Sequence, residues 1–288
     1  MAHKRVFFFG CSFTNYGWPT WADAVGHTLN GQGYEYYNFG LPGSGNDLIF
    51  KTMLRAKQEY NITSDDLIMV MWTSWNREDR YTRTEEGDNG VAWQLQGNVL
   101  NNDVYDDEFI SKHWSLEHDI ITSISAITAA RQLFDICFEG SLPVLENALG
   151  DFDTDQLVSA LSQLNMPCTI RDITSNKLIA DLDGHPDIPK VLEYVDQVVS
   201  PVTGICLAES TRDWLSEFDK FMMDTTSALH HQKLSPSLRI RMWNDDISIK
   251  IRSHHHAQTK QYRMPESAAS MWCSTKIIDY LNSFSNQA

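Results

Sequence analysis

Two short and almost unbroken apolar runs constrain this chain most: Val6–Phe9, which stops at Gly10-Cys11-Ser12, and Leu67–Trp72, which stops at Thr73-Ser74. A run of this length without polar alternation is buried on both faces, the pattern of a strand inside a parallel sheet. Parallel neighbours need crossover connections, and the intervening sequence supplies them. Trp21–Leu29 reads as a short helix after the turn signal Gly17-Trp18-Pro19, and Tyr34–Phe39 as an aromatic-rich strand. Asp47–Tyr60 has helical spacing, with Leu48, Ile49, Met53, Leu54 and Ala56 on or near one face. Such alternation predicts a doubly wound α/β sandwich.

The alternation continues through Leu116–Phe134 (helix), Asp135–Phe138 (short strand), Pro143–Leu164 (helix) and Ile188–Val199 (helix). Between them Glu78–Asn102 is polar, with Gly87, Gly90 and Gly97, and is expected as a long surface insertion reaching to about residue 112. Ser200-Pro201-Val202-Thr203-Gly204 looks like a boundary, giving an α/β domain over 1–203 and an extension over 204–288. That extension is expected to be α+β: helices over Arg212–His230 and Ser267–Phe284, with strand-like alternation in Leu238–Ile251.

With 38 acidic and 23 basic residues the formal net charge is -15, which makes a phosphate backbone a poor partner, so nucleic acid is not expected. The hydrophobic fraction of 42% is ample for a core. Cys11, Cys137, Cys168, Cys206 and Cys273 are scattered, odd in number and without a CxxC pair, which argues against a disulfide framework or a structural zinc site. The run after His3-Lys4-Arg5 is too short for a signal peptide, and no stretch is long enough to span a membrane. A soluble protein made and folded in the cytoplasm is expected.

Chemistry-bearing residues fall at the ends of the predicted strands. Ser12 follows the first strand across a small-residue turn, at the carboxyl edge where open α/β sheets place their sites. Taken alone, this serine is equally a cap for the next helix. Asp183-Gly184-His185-Pro186 lies late in the α/β region. An imidazole can take a serine proton, and a carboxylate can fix the imidazole's tautomer. Taken alone, this tetrapeptide is also ordinary turn chemistry. Asn38-Phe39-Gly40-Leu41-Pro42-Gly43 and Trp72-Thr73-Ser74-Trp75-Asn76-Arg77 follow two other strands and offer backbone and side-chain donors for an oxyanion.

In order, these four clusters resemble the conserved blocks of the SGNH (GDSL-type) serine hydrolases, over roughly residues 5 to 200. Gly10-Cys11-Ser12 is similar to the first block with cysteine in place of aspartate, and Asn38 to Gly43 has the spacing of the second. The third block departs from its usual Gly-x-Asn-Asp, and its asparagine falls one place late, at Asn76. In the last block one residue separates Asp183 from His185 where the family usually has two, which leaves Asp181 as a second candidate. The resemblance implies a three-layer α/β/α sandwich with a parallel, flavodoxin-like sheet. It implies Ser12 as nucleophile, His185 as base and Asp183 as its orienting carboxylate. The Ser12 and Gly43 N–H groups and the Asn76 side chain, with Ser74 close behind, would hold the oxyanion. No metal or organic cofactor is implied, and the substrate would be a short acyl ester.

Nine tryptophans, among them Trp18, Trp21, Trp72, Trp75, Trp93 and Trp114, tilt that substrate toward an O-acetylated glycan, because aromatic faces stack on sugar rings. His254-His255-His256, with His230-His231, lacks a metal-ligand spacing and is expected in a solvated loop. Lys233, Arg239, Arg241, Lys250, Arg252, Lys260 and Arg263 stand against only Asp245 and Asp246, a local basic excess that could face an acidic neighbour. Cys11 is a rival nucleophile, although adjacent side chains on a tight turn diverge. The rival function is a non-catalytic module on the same scaffold, docked through residues 204–288 to an oligomer or larger assembly. The chain's texture also resembles hydrolases of tailed bacteriophages, which implies association with a virion.

Overall fold

A computed structural model describes residues 4–75, 77–84, 92–96, 105–141 and 184–259. Strands β1 (Lys4–Gly10), β2 (Tyr34–Gly40), β3 (Leu67–Trp72) and β6 (Ile136–Ser141) form a sheet in the order β2-β1-β3-β6, and every pairing is parallel. The protein is α/β. Helix α1 (Trp21–Asn30) joins β1 to β2, α2 (Asn46–Tyr60) joins β2 to β3, and α3 (Asp107–His113) and α4 (Leu116–Leu133) precede β6.

The two apolar runs are buried on both faces for the reason their composition dictates. Successive side chains of a strand alternate, so β1 sends Val6 and Phe8 into one core and Phe7 and Phe9 into another. β3 does the same, with Met69 and Met71 on the first side and Ile68, Val70 and Trp72 on the second. Helix α1 covers the first face through Trp21, Ala22 and Val25; α2 and α4 cover the other through Ile49, Met53, Ile120 and Ile127. Consecutive crossovers on opposite faces leave a crevice at the carboxyl ends of β1 and β3, where the strand order reverses.

Beyond the sheet lie α5 (Ile188–Tyr194), a π-helical turn (Val195–Val199), α6 (Ser200–Thr203) and α7 (Glu209–His231). Then come α8 (Pro236–Met242), a second π-helical turn (Trp243–Ile247) and α9 (Ser248–Thr259). The residue ranges expected as helices at 188–199 and 212–230 fall within these elements. Leu238–Ile251 is a correction, being helical throughout, so the described residues 204–259 are not α+β. The Ser235 hydroxyl accepts from the Leu238 N–H, Pro236 sits in the first turn, and Trp243, Ile247 and Ile251 recur every four residues toward the core. That stripe outweighs the local alternation. Leu215, Phe218, Trp243 and Ile251 share one core with Val6, Phe8 and Trp21, so the helices after Gly204 complete the cover of that face.

The segment expected as a surface insertion contains an antiparallel pair, β4 (Arg80–Thr84) with β5 (Ala92–Gln96). The helices expected over 143–164 and 267–284 lie outside the described residues. No helix among the described residues is long and apolar enough to cross a membrane.

Candidate functional site

β1 ends where Gly10 passes under a tight turn. The N–H groups of Thr14 and Asn15 both donate to the Cys11 carbonyl, at 3.0 and 3.2 Å, and close the loop that carries Ser12. The turn is fastened to the end of β2: Leu41 N–H donates to the Gly10 carbonyl at 2.9 Å, and Asn15 Nδ2 to the Gly40 carbonyl at 2.9 Å. Within it Cys11 points into the first core and is fully buried, while Ser12 lines a cleft. The neighbouring side chains diverge as expected, which removes Cys11 from that cleft.

Below the turn is a buried polar buckle. Thr20, the N-cap of α1, donates through its hydroxyl to the Thr14 carbonyl at 2.6 Å, and its N–H donates to Asp23 Oδ2 at 2.9 Å. Asn38 Nδ2 donates to the same Thr14 carbonyl at 2.8 Å, and its Oδ1 accepts from the Gly40 N–H at 3.0 Å. The cap of α1 is therefore Thr20 with Asp23, not Ser12. Asn38, the start of the second cluster, serves as a brace between two loops.

His185 arrives from a distant part of the chain and is held by aromatic rings of the Ser12 loop. Tyr16 stacks on it with centroids 3.7 Å apart and planes 13° from parallel, and Phe13 lies at 5.0 Å. Trp18 Nε1 donates to the Pro186 carbonyl at 2.8 Å, a buried bond between residues 168 positions apart. Asp187 then caps α5 by accepting from the Lys190 N–H. Ser12, Phe13, Tyr16, Trp18, Thr20 and His185 line one narrow cleft, packed too tightly to admit a water molecule. Among the described residues the Ser12 hydroxyl makes no hydrogen bond, and none joins it to His185.

The remaining predicted residues are placed less fully. Gly43 sits at φ +85° in the turn after β2, and Ser74 is buried just past β3, both at the carboxyl edge; neither lines the Ser12 cleft. Asp181, Asp183 and Asn76 lie outside the described residues.

Two expectations need correction. Trp18, Trp21, Trp72 and Trp75 are core residues, at most 5% exposed, so they offer no face to a sugar. Burying aromatic surface is worth more here than displaying it. The histidine run 254–256 is not in a loop but on α9. His255 continues the Trp243–Ile247–Ile251 stripe, is buried, and places Nε2 3.7 Å from Asp23 Oδ2. Among the described residues no group of three or more histidine, cysteine or carboxylate side chains is arranged to hold a metal.

Beside the exit of β3 is an acidic knot. Asn46 braces the strand end, its Oδ1 accepting from the Thr73 N–H at 2.8 Å. Asp79 reaches back to cap α2, accepting from the N–H groups of Gly45 and Leu48 at 2.7 and 2.8 Å. Burial pushes the Asp79 carboxyl up to about 6 against those two bonds. Asp119 is buried in α4, where burial, opposed by the Trp114 indole N–H and aided by the charges of Glu78 and Asp79, raises its carboxyl to about 7. Composition had marked residues 78 onward as surface. Only a pairing signal between 79 and the glycine-rich turn at 45 could have located this knot.

No protein-family model matches the sequence, and no curated protein matches it. The fold and the geometry define the molecule as an α/β protein whose candidate site occupies the carboxyl edge of a parallel sheet.

Proposed function

We propose that this chain is a serine esterase of the SGNH type, built as a three-layer α/β/α sandwich on a flavodoxin-like sheet. The strand neighbours β2-β1-β3 agree with that order. The observation that carries the reading is that Ser12 and His185, remote in sequence, line one cleft at the carboxyl edge.

In this reading Ser12 Oγ attacks the ester carbonyl carbon while its proton passes to His185. The tetrahedral oxyanion is held by the N–H groups of Ser12 and Gly43 and the side chain of Asn76, with Ser74 near. Its collapse breaks the bond to the alkoxy oxygen, which leaves as an alcohol with the proton from His185. Water, deprotonated by His185, then attacks the acyl-enzyme and restores the serine. Asp183, or Asp181, orients the imidazole. A donor aimed at an oxyanion contributes about 3–4 kcal/mol to such a barrier. No step calls for a metal or an organic cofactor. A short acyl group such as acetyl rests on the family resemblance, and so does an O-acetyl glycan, since Trp18, Trp21, Trp72 and Trp75 are buried.

One observation favours the rival reading of a binding module: Ser12 and His185 share a cleft without a mutual hydrogen bond. Catalytic hydrogen bonds often tighten only with substrate bound. Labelling with a fluorophosphonate separates the readings. The esterase labels at Ser12 and hydrolyses p-nitrophenyl acetate, and Ser12→Ala loses both while keeping its thermal transition. A wild-type protein that neither labels nor turns over leaves the binding module standing.

A further inference from the structure

A second and larger cavity adjoins the Ser12 cleft. It measures about 520 Å³ and is lined by Asn15, Tyr16, Gly17 and Pro42 from the loops after β1 and β2, and by Arg252 and His256 from α9. Ser253 and the Asp23-facing His255 complete its wall. Tyr16 is the partition: one ring face stacks on His185, and the Arg252 guanidinium lies 5.8 Å from the ring centroid. Arg252 also runs across Gly17, so closely that a Cβ there would sit 3.0 Å from its Nε.

The chemistry of this wall runs against the chain's overall acidity. In a protein of net charge -15 no carboxylate among the described residues lines the cavity, whereas an arginine and two histidines do. Arg252 makes no ion pair among the described residues, although Arg5, Arg80, Arg131 and Arg212 all do. It stands in the basic stretch that also holds Lys233, Arg239, Arg241 and Lys250. A guanidinium with no ion-pair partner among the described residues, at the wall of such a cavity, matches a planar or tetrahedral oxyanion, to which it can donate two parallel hydrogen bonds.

We infer that this cavity binds a carboxylate or phosphate group through Arg252, and that the substrate is an acyl ester carrying such an anion beyond the scissile bond. The anion site itself stands on the cavity; its link to catalysis rests on the esterase reading. Tyr16 lines both compartments, which sets the anion site next to the serine cleft.

Two measurements test this separately. Calorimetric titration with phenyl phosphate and with benzoate uses the full-length protein and needs no activity. Wild type binds at least one of them, the stronger identifying the preferred anion, and Arg252→Gln weakens it tenfold or more while Arg252→Lys retains part. Absence of binding by both anions, or equal binding to wild type and Arg252→Gln, overturns the site. The kinetic arm compares 4-acetoxybenzoate with its methyl ester, and 4-acetoxyphenyl phosphate as the phosphate case. The ratio of kcat/KM for anionic over neutral ester is about tenfold in wild type and collapses toward one in Arg252→Gln. A ratio near one in wild type overturns the link to catalysis. Failure of Ser12 to label with fluorophosphonate sinks the esterase reading instead, and leaves the titration to decide the anion site.

Discussion

Tyr16 lies face to face with His185, 3.7 Å between ring centroids, so the residue four places after Ser12 sets the plane of the imidazole beside it. A stacked pair of this kind is worth about 0.5–1.5 kcal/mol beyond its buried area. Replacing the ring by a methyl group frees the imidazole to rotate away from the serine. Tyr16→Ala is expected to slow fluorophosphonate labelling of Ser12 by roughly tenfold, about 1.4 kcal/mol of barrier, while Tyr16→Phe keeps the stack and the rate. Equal labelling rates in all three proteins would show that the stack does not position His185.

The turn that presents Ser12 depends on Gly10 having no side chain. A Cβ at this position would collide with the Thr14 hydroxyl, lie 2.8 Å from Thr14 Cβ and come within 2.9 Å of the Met71 carbonyl. Two of the three obstacles belong to the turn and the third to the backbone of the neighbouring strand, so relieving all three shifts the turn, the strand or both. Gly10→Ala is expected to cost about 1–3 kcal/mol by overpacking, read as a lower midpoint in urea unfolding. A midpoint equal to wild type would mean the turn shifts freely and that its geometry is not fixed by β1.

Much of this was legible from local pattern, and the exceptions have physical causes. Val6–Phe9 and Leu67–Trp72 declared themselves because burial on both faces leaves no polar residue to confuse the period. Ser12 and His185 could be proposed as partners because one follows the first strand, the other precedes a helix, and both fall in the block order of the resemblance. Leu238–Ile251 misled because polar residues between apolar ones mimic a strand, and only the four-residue recurrence from Trp243 to His255 carries the helix. His255 was misplaced with it, since a buried histidine is betrayed by its partner Asp23 and not by its neighbours. Asp79 and Asp119 left no trace in the sequence, because an acidic residue in a polar segment looks exposed until the helix end it caps, or the indole it meets, is located.

Asp119 gives the fold a pH dependence of predictable sign. Burial, opposed by the Trp114 N–H and reinforced by Glu78 and Asp79, carries its carboxyl from an ordinary value of 3.8 to about 7. Between those values the folded protein holds a proton that the unfolded chain has released. Stability therefore declines as pH rises through this window, and the contribution is fully lost above about 7. Asp79, raised to about 6, adds to the slope over the lower part of the same range. Asp119→Asn keeps an acceptor for the Trp114 indole and removes the charge. Thermal unfolding at about pH 5 and about pH 8 is expected to show wild type losing more stability than the variant between the two. If the two proteins lose stability in parallel, Asp119 is ionised in the native state throughout and the acidic knot is paired by charge rather than by a retained proton.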